Sequence, residues 1–191
     1  RLGWVDPVSF MQRNNELMPA YSQGKLAMED YMAFSLEPLI GRTPEEVEHL
    51  VGPWVEDFIE PIIFSDATRT IAAHRKAGDR ILVISASGTH LVKPIADRLG
   101  IDEVLGIELE VAHGFYTGNT VGTLTYREGK ITRLLQWLDE QEENLEGASF
   151  YSDSRNDLPL LLKVDHPHVV NPDPVLREHA ETAGWPIHHW K

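Results

Sequence analysis

Apolar positions recur at helical spacing through the first third of the chain and give way afterwards to continuous β-branched runs. Asp6 is an N-cap and Pro7 suits the first helical position, so residues 8–21, apolar at helical spacing, are predicted as a helix. A break at Gly24 precedes a second predicted helix over 25–40. Thr43 with Glu46 three residues later forms a capping box, opening a third helix through Val47, Leu50, Val51, Trp54 and Phe58. Asp66 starts a fourth over 67–77, which Gly78 ends. The chain then changes character: 81–84 is an unbroken apolar run, the pattern of a strand buried on both faces in a parallel sheet.

From there strands and helices alternate. The pattern predicts a strand at 81–84, a helix at 89–99, a β-rich stretch at 104–124, a helix at 130–142 and a strand at 148–151. A short helix from 156, a strand at 168–170, a helix from 172 and a last extended piece at 186–188 follow. The β-rich stretch turns at His113-Gly114 and is expected to be a hairpin off the sheet edge. Alternation of this kind implies an α/β fold, a Rossmann-like parallel sheet with helices on both faces, joined here to an all-helical module. The expected boundary lies at 60–66, dividing a helical region, 1–62, from an α/β region, 63–191.

Composition narrows the function. A chain of 191 residues with 42% hydrophobic content can bury the core of one domain with a modest insertion. A formal charge of -13 argues against nucleic acid or an anionic membrane as partner, since both demand a basic surface. With no cysteine there is no disulfide framework and no thiolate metal site, which is compatible with a reducing cytoplasm, the expected location. No apolar run approaches the roughly 20 residues that span a bilayer.

Chemistry concentrates where strands end. Asp153 and Asp157 lie four apart across a strand-to-helix turn, which can aim both carboxylates at one point where a hard cation such as Mg²⁺ takes oxygen ligands. The alternative is that Asp153 or Ser154 only caps the helix. Ser85-Ala86-Ser87-Gly88 follows the first strand, and small residues there let backbone N–H groups and a hydroxyl close on an anion; equally, they are ordinary turn residues. Lys130 opens a predicted helix, where a cation opposes the helix dipole, so it serves either an anion or simply solvent. His74, His113, His166, His168, His179, His188 and His189 show no metal-ligand spacing and are expected at the surface or in loops.

Taken in order, these pieces resemble the second, third and fourth motifs of the haloacid dehalogenase-like hydrolases, in the phosphoserine-phosphatase-like branch. I-S-A-S-G-T-H matches the strand-serine motif, R-E-G-K-I-T-R-L-L-Q-W-L the lysine motif and Y-S-D-S-R-N-D-L-P-L-L the acidic signature. The helices before residue 60 match that branch's cap. The resemblance implies Mg²⁺-dependent hydrolysis of a small phosphorylated metabolite through an aspartyl-phosphate. Asp153 would hold the metal directly and Asp157 through water or by orienting neighbours. Ser85, with Ala86 and Ser87, would bind the phosphoryl group, Lys130 would neutralise its charge, and Asn156 would orient it. The family's D-x-D-x-T strand, carrying the nucleophile and the general acid, has no match here; Asp6 follows no apolar strand. That strand is central in the family's sheet, and its expected position is upstream of residue 1.

Specificity is expected to depart from the branch's namesake. Q-G-K-L-A-M-E-D-Y-M-A-F-S-L aligns Ser35 with the cap arginine that grips the carboxylate of phosphoserine, with Arg13 or Arg42 as possible substitutes. Met28, Tyr31, Met32 and Phe34 are expected to pack cap helices together. Two alternatives stand beside hydrolysis: a phosphotransferase of the same family, and a non-catalytic binding or scaffold protein if the nucleophile is absent.

Overall fold

The computed structural model describes residues 4–22 and 26–191. The expected break at Gly24 and helix start at Lys25 lie outside the described residues. Helix α1, Pro7–Ser22, begins at the predicted proline, and α2, Met28–Leu36, runs into a tighter turn at Glu37–Leu39, where Pro38 withholds an N–H. Helix α3, Pro44–Trp54, opens on the predicted capping box: Glu46 N donates to Thr43 Oγ1 at 3.1 Å and Thr43 N to Glu46 Oε2 at 2.9 Å. Pro53 lies inside this helix, and a wide turn, Val55–Ile59, follows it. Helix α4, Ser65–Ala77, ends at Gly78 with φ 88, a left-handed conformation that glycine adopts without steric cost.

The apolar face of these helices does not close on itself. Met28, Met32, Leu36, Leu39, Val47, Val51 and Val55 form one buried cluster with Ile107 of strand β2, Glu103–Ala112. Backbone bonds add to this contact: Tyr116 N donates to Arg42 O at 2.8 Å and Gly41 N to Tyr116 O at 2.9 Å, covering strand β3, Phe115–Val121.

Strand β1, Leu82–Gly88, pairs parallel with β2, which turns at His113-Gly114 and pairs antiparallel with β3, giving the expected edge hairpin. Helix α5, Thr89–Arg98, connects β1 to β2. After α6, Glu128–Glu140, strand β4, Ser149–Ser152, pairs parallel with β5, His166–Val170, and β5 with β6, Ile187–His188. A turn at Arg155–Asp157 and the short α7, Leu158–Leu161, follow β4, and α8, Pro174–Ala183, precedes β6.

The strands form two three-stranded sheets, β1-β2-β3 and β4-β5-β6. Between them runs a slot of about 600 Å³. Residues 81–84 line one side and 148–151 the other, with Ile71 of α4 and Leu134 and Leu138 of α6 among its further walls. A strand inserted between two neighbours lies about 4.8 Å from each and takes the ladder bonds of both. The slot is lined by residues of both β1 and β4.

The histidines correct one expectation. His113, His166 and His189 are exposed, but four others are built into the fold. His74 on α4 lies with Nε2 2.8 Å from the Tyr151 hydroxyl and Nδ1 2.7 Å from Asp79. Tyr151 stacks on His168, ring centres 4.4 Å apart, and His168 Nδ1 lies 3.0 Å from His188 Nε2. His179 on α8 meets Trp185 edge-on at 4.9 Å. Strands covered on both faces bury side chains whatever their polarity, and adjacent strands bring period-two neighbours together.

Candidate active site

At the end of β1, Ile84 pairs with Leu105 but Gly88 pairs with Ile107, so Ser85-Ala86-Ser87 bulges out of the ladder. The bulge closes on itself: Ser87 N donates to Ser85 Oγ at 3.2 Å. It needs Gly106 opposite, where a Cβ would come within 3.1 Å of Ser87 O and 2.9 Å of Thr89 Cγ2. Small residues therefore keep open a concave strand end whose hydroxyl and N–H groups can meet an anion.

Lys130 reaches this point from the first turn of α6. It is buried, and its Nζ lies 3.5 Å from Ile84 O and 2.6 Å from Asp157 Oδ1. A lysine opposing the helix dipole is retained because a buried carboxylate compensates it, and the solvated alternative is excluded. Asp157 is also buried, and its Oδ2 accepts from Ser152 Oγ at 2.7 Å. Ser154 Oγ accepts from Asn156 N at 3.2 Å and so supplies the cap, while Asp153 stays exposed at the end of β4. Asn156 Oδ1 accepts from Arg127 Nε at 3.3 Å. Lys130 thus joins the β1 end, carrying Ser85, to the β4 end, carrying Asp153 and Asp157.

Two participants carried no conspicuous sequence signal. Thr125 is fully buried and its hydroxyl donates to the Ser85 carbonyl. Asp173 holds the 153–155 turn: its Oδ2 accepts from Arg155 N at 2.6 Å and its own N donates to Asp153 O at 2.9 Å. Asp173 also caps α8, which starts two residues beyond the expected 172, its Oδ1 accepting from Val175 N and Leu176 N. Its second bond, to the acidic turn, depends on tertiary approach.

A cleft of about 710 Å³ separates the start of α2, residues 26–29, from the 122–128 loop leading to Lys130. Met28, Glu29, Tyr126, Arg127 and Glu128 are among its walls. Met28, Met32 and Phe34 are buried in cap packing as expected, and Ser35 is half-buried on α2. Arg13 pairs with Glu37 at 2.8 Å and lies over the Phe34 ring, while Arg42 stacks on Trp4, so both expected substitutes for a carboxylate-binding arginine are engaged inside the cap.

A family description, haloacid dehalogenase-like hydrolase, matches residues 4–162. The chain is 38% identical over 193 aligned residues to a protein of Neisseria meningitidis named histidinol-phosphatase, covering 99% of this chain and 87% of that protein. It is 39% identical over 142 residues to a probable phosphatase of Mycobacterium tuberculosis, covering 74% of this chain but 49% of that relative, about half its length. A crystal structure from Bordetella pertussis, of a protein with unknown function, superposes with TM-score 0.91 at 35% identity over 99% of this chain and 85% of that one.

Proposed function

The chain belongs to the haloacid dehalogenase-like hydrolases, in their phosphoserine-phosphatase-like branch, and from that premise we propose that it hydrolyses the phosphate monoester of a small alcohol through an aspartyl-phosphate, with Mg²⁺ bound. The carrying observation is the buried Lys130, paired with Asp157 and reaching the carbonyl next to Ser85. The Ser85 hydroxyl and the bulge N–H groups donate to phosphoryl oxygens, and Lys130 neutralises charge on the same group. Catalysis by these residues is positioning and electrostatic stabilisation.

The donor set fits a magnesium ion. Among the described residues no group of three or more histidines, cysteines or carboxylates forms a complete cage. Mg²⁺, however, is characteristically held by one or two carboxylates together with substrate phosphate and waters. Asp153, exposed at the strand end, is suited to direct ligation. Asp157, with one oxygen on Lys130 and the other on Ser152, is suited to orienting the site. Charge favours the same reading: two carboxylates against one lysine leave the site negative before an anionic ester arrives. When bound, the ion offsets repulsion between the attacking carboxylate and the phosphate.

The nucleophile belongs to the D-x-D-x-T strand, and the slot between β1 and β4 is suited to receive it. A carboxylate at the end of a strand there would lie between Ser85 and Asp153. It attacks phosphorus, the alcohol departs with a proton from the second aspartate, and water then cleaves the acyl phosphate.

For the substrate we favour a phosphorylated amino alcohol over phosphoserine, with histidinol phosphate the first candidate. The relative so named aligns over nearly the whole chain, Ser35 stands in place of a carboxylate-binding arginine, and the cleft carries Glu29 and Glu128, which suit a cation. The lack of cysteine is compatible with a cytoplasmic setting; among the described residues no helix is long and apolar enough to cross a membrane. The test is a screen of phosphorylated metabolites on the full protein. Mg²⁺-dependent phosphate release that Asp153→Asn abolishes, with circular dichroism unchanged, supports the reading. Wild-type turnover by that variant removes Asp153 from the metal role.

A further inference from the structure

Thr125 has a hydroxyl with a single, unusual duty. The residue is completely buried, and the hydroxyl donates to the main-chain carbonyl of Ser85, forty positions earlier, at the edge of the β1 bulge. Five residues later, in the first turn of α6, Lys130 reaches the preceding carbonyl, that of Ile84. The stretch between them is tightly wound. Tyr126 N donates to Leu124 O at 2.8 Å, Gly129 N to Tyr126 O at 2.9 Å and Lys130 N to Arg127 O at 3.0 Å. Arg127 takes φ 49, and a Cβ on Gly129 would lie 1.9 Å from Leu124 O. Displacing Thr125 would therefore move Lys130 and Ser85 relative to each other.

We propose that Thr125 is a positioning residue for the phosphate site, holding the Ser85 hydroxyl and the Lys130 ammonium at the separation one phosphoryl group bridges. The proposal rests on the phosphatase reading. A half-buried carbonyl stripped of its donor retains part of its desolvation cost, so the bulge would shift to recover a partner. Hydrogen bonds to a transition state are sensitive to such shifts, and small misplacements cost large factors in rate.

Thr125→Val keeps the shape and removes the donor, while Thr125→Ser keeps the donor and removes a methyl group. In the full protein, Val is expected to lower kcat/KM ten- to hundredfold and to weaken competitive inhibition by inorganic phosphate about tenfold. Ser is expected to stay within about threefold of wild type in both. In a Ser85→Ala background the Val change should cost clearly less than in wild type, because the part of its effect that runs through the Ser85 hydroxyl is already gone and only the part through Lys130 remains. Equal constants for Val and Ser, or a full additive loss in the Ser85→Ala background, overturn the proposal. If Thr125→Val does not fold, Ala against Ser carries the test: phosphate inhibition about tenfold weaker in Ala supports it, and equal inhibition overturns it. A wild-type protein that releases no phosphate from any ester refutes the phosphatase reading itself, a result distinct from each of these.

Discussion

His90 provides a stability test that separates burial from every other feature of the site. It stands in the first turn of α5, and its ring lies so close to Gly88 that a Cβ there would meet Nδ1 at 2.5 Å. That Nδ1 is buried without a partner among the described residues, and burial lowers the imidazole pKa from 6.5 to about 4. The folded state therefore resists protonation while the unfolded chain accepts it. Stability contributed by the neutral ring is complete above pH 6.5, falls as pH drops toward about 4, and loses nothing further below. At about pH 5 the unfolded chain gains roughly 2 kcal/mol from this proton, and the full shift approaches about 3 kcal/mol. His90→Leu removes the titration and the orphaned nitrogen together. Urea unfolding at about pH 7.5 and about pH 5 should show the stability difference, variant minus wild type, growing by about 2 kcal/mol in the variant's favour. Other histidines titrate in both proteins and cancel. A difference that stays constant between the two pH values would show that the ring is not held neutral by burial.

Three further outcomes follow from the site. Lys130→Met leaves the Asp157 carboxylate buried with Ser152, and should cost about 3–5 kcal/mol in denaturant unfolding; a loss below about 1 kcal/mol would mean that the pair is not desolvated. Gly129→Ala forces a methyl group to within 1.9 Å of the Leu124 carbonyl, so the loop must open and phosphatase activity should fall at least tenfold; unchanged kinetics would contradict the tight 124–130 turn. Phosphoserine should have a kcat/KM about a hundredfold below that of the best amino-alcohol phosphate, since an unpaired substrate carboxylate costs on the order of 3 kcal/mol, and Ser35→Arg should narrow the gap. Phosphoserine emerging as the best wild-type substrate would refute the argument from Ser35.

Local signals and tertiary ones separate cleanly in this chain. The Thr43–Glu46 capping box, the Gly78 stop and the His113-Gly114 turn were legible because each depends on a few adjacent residues. The burial of Met28, Met32 and Phe34 follows from helical spacing in the same way. Ser85, Lys130 and Asp157 could be named as candidates from strand ends, but the 2.6 Å contact between Lys130 and Asp157 depends on how α6 crosses the sheet. Thr125 had no signal at all, since a threonine in a polar loop becomes notable only when the loop folds over β1. The histidines of the His74–Tyr151–His168–His188 cluster depart from the expected surface or loop placement for a related reason, while Tyr151 lies in the expected strand. Its members are scattered over more than a hundred residues and meet only through α4 packing and the β4-β5-β6 register.

The division of the sheet explains why the polar contacts of the site carry so much structural weight. Ser85 belongs to the β1 half and Asp153 and Asp157 to the β4 half, with no ladder bonds between β1 and β4. At the site the halves are tied by Lys130, which touches Ile84 O on one side and Asp157 on the other. A salt bridge of this kind fixes the distance between two points but leaves rotation about them free. Parallel ladder bonds on both sides of an inserted strand would fix the rotation as well, because each strand end is then set by its register. They would also cover the two open edges, which otherwise invite pairing with other chains. On the proposed reading a strand in the slot would have two consequences from one placement: it would make the sheet continuous, and a carboxylate at its end would lie between the two halves of a site that Lys130 already spans.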